Sequence, residues 1–225
     1  RLLRAAFYWR YVGRTHEYLD TVGRDVRPET SWWIESHNDG ANRPVKFEND
    51  LALLTLDWDD TREARTAFYL GRTNEDLGRD AEARDWYGVR LLLGGWDEEL
   101  WYAQWRRAVL TCKVDEAAGA GLLWDAWQMR QKRAEPLCDL ATHYRTSEKY
   151  DLAWMATEAA VRCDPAGERL FVHADVYDWR IAYERSIVAY YVGANYAGMA
   201  ASEMVLGCET APEGAVESVR ANLKF

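Results

Sequence analysis

Apolar residues between positions 67 and 87 recur at helical spacing and predict two amphipathic helices folded back on each other. The pair Leu70–Gly71 falls midway along the first helix, where a small residue allows a partner helix to approach closely. Gly78 follows the last apolar turn and can adopt the left-handed conformation that closes a helix. Ala83 and Tyr87 lie four residues apart, so both face back from the second helix. These positions predict one tightly packed helical hairpin.

The same spacing recurs downstream and predicts a series of hairpins. Leu140–Ala141 takes the position of Leu70–Gly71, and Ala153 takes that of Ala83. Further hairpins are expected over Asp97–Leu110 with Glu116–Gln131, over Leu137–Pro165, and over Tyr177–Tyr191 with Tyr196–Leu206, and a last helix over Pro212–Phe225 would cap the array. The spacing is typical of tetratricopeptide repeats, in which one hairpin cannot bury its own apolar face and neighbouring hairpins complete the core.

The beginning of the chain has a different pattern. Phe7–Val12 is aromatic and β-branched, and Thr15–Leu19 continues as an extended segment. Ser31–His37 is a further short strand candidate, followed by the turn signal Asn38–Gly40. Strands this few and this short do not form a stable domain alone. They predict the edge of a larger α/β domain.

Two domains follow from this change of pattern. We expect residues 1–44 to be the closing edge of an α/β domain whose other strands precede Arg1, since the chain does not begin with Met. Residues 45–225 are expected to form a mostly α-helical, tetratricopeptide-like superhelix of hairpins.

Composition and charge limit the classes of function. The net charge of −9 argues against a nucleic-acid partner, because neutralising phosphates requires a basic face. The 12 Trp and 13 Tyr favour a core of large interlocking side chains, although a binding groove could also use them. No apolar run reaches the ~20 residues of a membrane span, and no secretory signal is present. Four widely spaced cysteines fit reduced, mostly buried thiols in a cytoplasmic protein.

Most candidate chemistry in the sequence has a structural explanation. Asp57 and Asp59 could together hold Mg²⁺ or Mn²⁺, but a turn between helices is the better interpretation. In that interpretation the helix over Val45–Leu56 ends there and Thr61 caps the next helix. His143 and His173 have no second ligand at i+4 and are better explained as packed or solvated histidines.

The segment His16–Glu17 is the strongest candidate for chemistry. It follows an aromatic strand and a glycine in a part of the chain without helical register. One ring nitrogen of His16 could bind a divalent metal, with Glu17 free to orient a neighbouring side chain.

Several segments, in this order, give the sequence a resemblance to one enzyme family. They are Arg1–Arg4, Trp9–Gly13, His16–Leu19, Ile34–His37, Asn38–Gly40, Arg43 with Lys46, Arg65–Leu70, Gly94–Glu99, Arg133–Pro136, Leu170–Val172 and Val176–Arg180. The set resembles the closing segment of GT-A glycosyltransferases of the family 2 type, in members that carry a tetratricopeptide extension. The resemblance covers nearly the whole chain.

The resemblance implies a site for a nucleotide-sugar donor. His16 would contact the metal or the donor diphosphate, Glu17 would support it, and His37 and Arg43 would approach the same cleft. A divalent cation, Mn²⁺ or Mg²⁺, would stabilise the departing diphosphate. It would be held mainly by an Asp-x-Asp motif upstream of Arg1, where the general base would also lie. The chain alone is therefore expected to lack catalytic activity.

Three hypotheses about function remain. In the first, the chain is the C-terminal portion of a glycosyltransferase that moves a sugar to a glycan or protein acceptor, and the repeats shape acceptor access or hold a partner on their concave face. In the second, it is a non-catalytic helical-repeat adaptor for protein partners. In the third, it is a structural module that associates with itself through exposed aromatic residues.

Overall fold

The computed structural model describes residues 10–19, 43–168 and 170–223, and these are mostly helical. Two short strands come first, β1 (Tyr11–Val12) and β2 (Tyr18–Leu19). The helices are α1 (Arg43–Thr61), α2 (Ala64–Asp76), α3 (Asp80–Leu93), α4 (Asp97–Cys112), α5 (Glu116–Met129), α6 (Glu135–Thr146), α7 (Tyr150–Ala160), α8 (Ile181–Tyr191), α9 (Asn195–Leu206) and α10 (Glu213–Asn222). A π-helical turn, Val176–Arg180, leads directly into α8. The predicted series of helical hairpins is confirmed.

The first predicted hairpin is built as its spacing indicated. A Cβ atom added to Gly71 of α2 would lie 2.7 Å from the ring of Tyr87 in α3, so only glycine permits this approach. Tyr87 and Ala83 are fully buried, and the Tyr87 hydroxyl donates to Glu75 over 2.8 Å. Gly78 ends the turn with a φ of +71°, the left-handed conformation that glycine adopts without strain.

Within the described part of the chain, the two strands near its beginning pair only with each other. β1 and β2 are antiparallel, with Tyr11 opposite Leu19 and Val12 opposite Tyr18. The described residues contain this hairpin of two residues per strand and no wider sheet of the kind that binds nucleotides. The interpretation of this segment as a remnant of a GT-A domain therefore has no support. The strand candidate Ser31–His37 lies outside the described residues.

The aspartates from Asp57 to Asp60 do not end a helix, as the sequence had suggested. They lie inside α1, which continues to Thr61. Carboxylates near the C-terminus of a helix oppose its dipole, but Arg14 ion-pairs with both Asp57 and Asp60 and offsets this cost. Thr61 is not the predicted cap either, because its hydroxyl donates to the Asp57 carbonyl and α2 begins after Glu63.

The chain divides into two compact units, Arg1–Leu93 and Gly94–Phe225. Unit 1 contains the strands and α1 to α3, and unit 2 contains α4 to α10. The boundary expected between residues 44 and 45 stays a prediction. None of the helices in the described ranges combines the length and the apolar character that crossing a bilayer requires.

Unit 2 is a row of hairpins with distinct inner and outer sides. The first helix of each hairpin contacts the next first helix, from α4 to α6, α8 and α10. The second helices α5, α7 and α9 contact first helices, but within the described residues they do not contact one another. Among helices of the same kind, only the first helices contact one another in the described residues, so the two sides of the row differ. We call the surface formed by α4, α6 and α8 the inner face.

Large aromatic side chains fill part of this core, as the composition suggested. Trp101 and Trp105 of α4 are each only 1% exposed, and their rings stack at 5.4 Å between centroids. Other aromatic residues stay outside, among them Tyr190 and Tyr196 of the last hairpin. All four cysteines are free, but only Cys138 is fully buried, so the expectation of mostly buried thiols is wrong.

Two glycines in α5 provide a test of how closely the helices pack. A Cβ atom on Gly119 would overlap the backbone of Cys112 in α4, whereas one on Gly121 would meet nothing within 4 Å. Gly119→Ala should lower the free energy of unfolding by about 1–3 kcal/mol through overpacking. Gly121→Ala should raise it by about 0.5–1 kcal/mol, because alanine is the better helix former. Urea unfolding followed by circular dichroism measures both, and equal effects would contradict the packing.

Candidate functional site

His16 lies in the loop of the β hairpin, against α1 and α2. Its φ is +50°, and its ring stacks on Tyr69 with 4.1 Å between centroids. Its Nε2 atom is 3.9 Å from a carboxylate oxygen of Asp50, and burial lowers the pKa of the imidazole although Asp50 opposes this. Asp50 also accepts a hydrogen bond of 2.8 Å from Thr15. The surroundings of His16 therefore hold the hairpin on the helices.

Arginine side chains complete this attachment. The Arg65 guanidinium lies over the rings of Tyr18 and Tyr69, at 5.2 and 4.9 Å from their centroids, and donates to the His16 carbonyl. Arg14 donates to Asp57 through both its backbone and its side chain. The remaining cavity is about 70 Å³, too small for a nucleotide.

The predicted donor-binding residues come together only in part. Glu17 is exposed next to His16, and Arg43 is the first residue of α1. His37 lies outside the described residues, as does the side chain of Arg43. No group of three or more potential metal ligands exists in the described ranges. Donor binding by His16, Glu17, His37 and Arg43, metal binding by His16 and the Mn²⁺ or Mg²⁺ cofactor all stay predictions.

A second region, on the inner face of unit 2, is a groove between α4 and α6. Trp105 of α4 donates through its indole nitrogen to Asp139 of α6 over 2.7 Å, and the two residues are 34 positions apart. This is the length of one tetratricopeptide repeat, so equivalent positions of two successive repeats face each other. On α4 the residues that lie along the groove are Tyr102, Trp105 and Val109. They are spaced by three or four residues and share one face of the helix.

One half of this groove is open. It forms a cleft of about 300 Å³ lined by Val109, Cys112, Lys113, Leu123, Asp139, Thr142, His143 and Thr146. Apolar side chains contribute much of its wall, and hydroxyl and charged groups lie around them. Burial raises the pKa of the Cys112 thiol to about 11, so this cysteine is a neutral wall residue rather than a reactive thiolate.

The other half is filled by the chain's own loop between α7 and α8. The ring of Phe171 lies 4.5 Å from that of Tyr102, and the ring of His173 meets Trp105 edge to face at 4.9 Å. Asp139 stands where the two halves meet. One of its oxygens accepts from Trp105 and the other from Arg180 over 2.8 Å, so its charge is already neutralised.

A buried ion pair holds the loop in the groove. Arg133 and Glu135 have side chains that are 1% and 0% exposed and are bonded to each other, with a shortest distance of 2.7 Å. Arg133 also donates to the carbonyls of Leu170 and Phe171, at 3.0 and 2.6 Å. Glu135 accepts from the backbone of His173 and from the hydroxyl of Tyr177.

Aromatic contact completes the environment of this pair. The Arg133 guanidinium lies 3.9 Å from the centroid of the Trp101 ring. The Tyr177 hydroxyl in turn accepts from the backbone N–H of Ala134, and burial raises the pKa of this phenol. Each charged group is thus surrounded by partners, which is the condition for an ion pair to remain buried.

The hydrophobic pattern did not reveal this groove. The sequence predicted His143 and His173 to be packed or solvated, and the structure places His143 in the lining of the open half and packs His173 on Trp105 in the closed half. The spacing of 34 residues between Trp105 and Asp139 was the available signal. The second helices α5 and α7 begin 34 residues apart, at Glu116 and Tyr150, whereas α7 and α9 begin 45 residues apart, at Tyr150 and Asn195. The stretch from the start of α7 to the end of α8 is therefore 11 residues longer than the corresponding stretch from α5 to α6.

The fold is similar to that of tetratricopeptide-repeat proteins of known structure. MamA matches with a TM-score of 0.57 and 16% identity, over 80% of this chain and 93% of MamA. YrrB, described as a TPR protein with an unusual peptide-binding site, matches with a TM-score of 0.55 and 15% identity over 78% and 84%. TTC0263, a TPR protein of Thermus thermophilus, has a TM-score of 0.52 and 13% identity over 80% and 92%. No protein-family model matches the chain, and no curated protein does either.

These similarities correct two predictions. The resemblance to GT-A glycosyltransferases is wrong, because the structures that match are tetratricopeptide-repeat proteins and the described N-terminal segment is a two-stranded hairpin. The glycosyltransferase function is wrong for the same reason, and the expected nucleotide-sugar donor and glycan acceptor lose their support. The helical-repeat fold of the alternative agrees with these structures, and its adaptor function stays a proposal.

The buried ion pair leads to a prediction about stability. Glu135→Gln removes the carboxylate and leaves the Arg133 charge buried, which should lower the free energy of unfolding by about 3–5 kcal/mol. Glu116→Gln is the matched control, because Glu116 pairs with Lys149 at a site where both side chains are about half exposed, and it should change the free energy of unfolding far less than Glu135→Gln. Urea unfolding measures the free energy of unfolding of both variants. Similar decreases would show that the buried pair stabilises the fold no more than the exposed pair does.

His173 leads to a prediction about pH. Burial lowers its pKa, with Arg106 acting in the same direction and Asp175, Glu135 and Asp139 opposing. The unfolded chain then binds more protons, so the free energy of unfolding should fall as the pH drops below about 6.5. His173→Phe keeps a ring on Trp105 but cannot titrate, so it should lose less stability between pH 7.5 and 5.5. Identical losses in parent and variant would contradict this assignment.

Proposed function

We propose that the chain is a non-catalytic helical-repeat adaptor that binds a short peptide segment of a protein partner on the inner face of unit 2. The observation that carries the proposal is the open half of the groove between α4 and α6. It offers about 300 Å³ of space on the side of the row where the first helices meet. That space holds one or two side chains of a partner, not a whole cofactor.

The chemistry of the cleft suits binding better than catalysis. Val109, Leu123 and Cys112 contribute apolar walls. The Thr146 hydroxyl donates to a backbone carbonyl of its own helix, and the Thr142 hydroxyl has acceptors in the Cys138 carbonyl and the Glu184 carboxylate. Asp139 is held by Trp105 and Arg180, so it is not poised as an acid or base. Burial of apolar surface would supply the binding energy.

The comparisons support this proposal at the level of fold. The matched structures are tetratricopeptide-repeat proteins, and the description of YrrB includes a peptide-binding site. Fold alone does not fix function, so the proposal depends on the cleft itself.

Selection of peptides from a random heptapeptide phage library against the full chain tests the proposal. Selected peptides, synthesised and labelled, should bind in fluorescence anisotropy. Thr146→Arg places a long charged side chain in the cleft from an exposed position and should weaken binding about tenfold or more, or about 1.4 kcal/mol.

The control adds the same side chain elsewhere. Gln128→Arg introduces arginine at an exposed position of α5 that does not line the cleft, and it should leave the affinity unchanged. A chain that selects no peptide, or equal losses in the two variants, would overturn the proposal.

A further inference from the structure

The loop before α8 occupies the groove in the place where a ligand would lie. It lies in the stretch from α7 to α8, which is 11 residues longer than the corresponding stretch from α5 to α6. Its segment Leu170–His173 is bound through main-chain groups, by the guanidinium of Arg133 and the carboxylate of Glu135. The groove thus binds the main chain of an extended segment through its side chains, as it would have to bind the main chain of a peptide.

The side chains of the segment confirm that it lies on the surface of the core. Leu170 and Val172 are each 37% exposed, whereas Arg133 and Glu135 beneath them are buried. Phe171 has a φ of +58°, a conformation that is unfavourable for a non-glycine residue and that the contacts with Tyr102 and Arg133 maintain. The segment therefore fills its half of the groove, held through its main chain by Arg133 and Glu135.

The loop that fills one half of the groove also closes one end of the open half. His173 packs on Trp105, Trp105 bonds to Asp139, and Asp139 lines the cleft. A partner segment cannot continue past this point along the groove. The charge at the closed end is the Asp139 carboxylate, which Arg180 already neutralises, so a cationic side chain gains no free counter-charge there.

We infer that the partner segment inserts one aliphatic side chain into the open half, between Val109 of α4 and Thr142 of α6 and above Leu123 of α5. This inference rests on the proposed function and names the chemistry of its ligand: an uncharged aliphatic anchor in a short segment that stops at His173. Val109, Cys112 and Leu123 give the cleft an apolar wall for this side chain, and the neighbouring half of the same groove already holds the apolar ring of Phe171 against Tyr102.

The test uses a peptide selected against the full chain and replaces each of its residues in turn. One position should require Leu, Ile, Met or Val, and a change to Lys there should weaken binding about tenfold or more in fluorescence anisotropy. Val109→Ala enlarges the cleft and should shift the preference at that position from Leu to Phe. Val161→Ala makes the same substitution at a half-exposed site after α7 and should leave the preference unchanged.

The outcomes separate this inference from the proposed function. Peptides that bind and respond to Thr146→Arg, but keep the same anchor preference in Val109→Ala, would overturn the inference and leave the adaptor function standing. A required Lys or Arg anchor would also overturn it. Failure to select any peptide would overturn both. Light scattering that shows a dimer dissociated by Thr146→Arg would assign the cleft to a second copy of the chain, and would overturn the inference as well.

Discussion

The buried pair of Arg133 and Glu135 is the interaction on which unit 2 depends. Two charges removed from water are stable only when every donor and acceptor finds a partner. Here the partners come from the start of α6, from the loop before α8 and from the ring of Trp101 in α4. Since no member can leave without exposing or orphaning a charge, the pair fixes the relative position of all these elements.

This arrangement departs from the usual behaviour of helical repeats. In such proteins each hairpin contacts only its neighbours, and stability is close to a sum of local terms. The loop breaks this pattern, because Phe171 belongs to the segment after α7 and yet reaches back to Tyr102 of α4. Three successive hairpins therefore share one polar core, and they should gain or lose structure together rather than one at a time.

The sequence predicted the features that depend on local pattern and missed those that depend on contacts between distant residues. Gly71 and Tyr87 belong to one hairpin, so periodicity alone placed them face to face, and the same reasoning located the later hairpins. The end of α1 was missed because its aspartates are stabilised by Arg14, which is more than forty positions away. The groove was also missed, because the contacts that define it join residues 34 and 41 positions apart. The resemblance to an enzyme family had included Arg133–Pro136, Leu170–Val172 and Val176–Arg180. In the structure these three segments contact one another around the buried Arg133–Glu135 pair. Their pairing depends on tertiary contacts that no local pattern encodes.

The unequal contacts in unit 2 have a mechanical consequence. Its first helices contact one another along the row, and α5 and α7 each contact the next first helix, while the second helices in the described part of the unit do not contact one another. Bending the row therefore has to deform the packing of α4, α6 and α8. The buried Arg133–Glu135 pair, with partners in α4, α6 and the loop before α8, limits how far α4 and α6 can separate. A partner segment bound between these two helices would therefore resist bending of the row at that point.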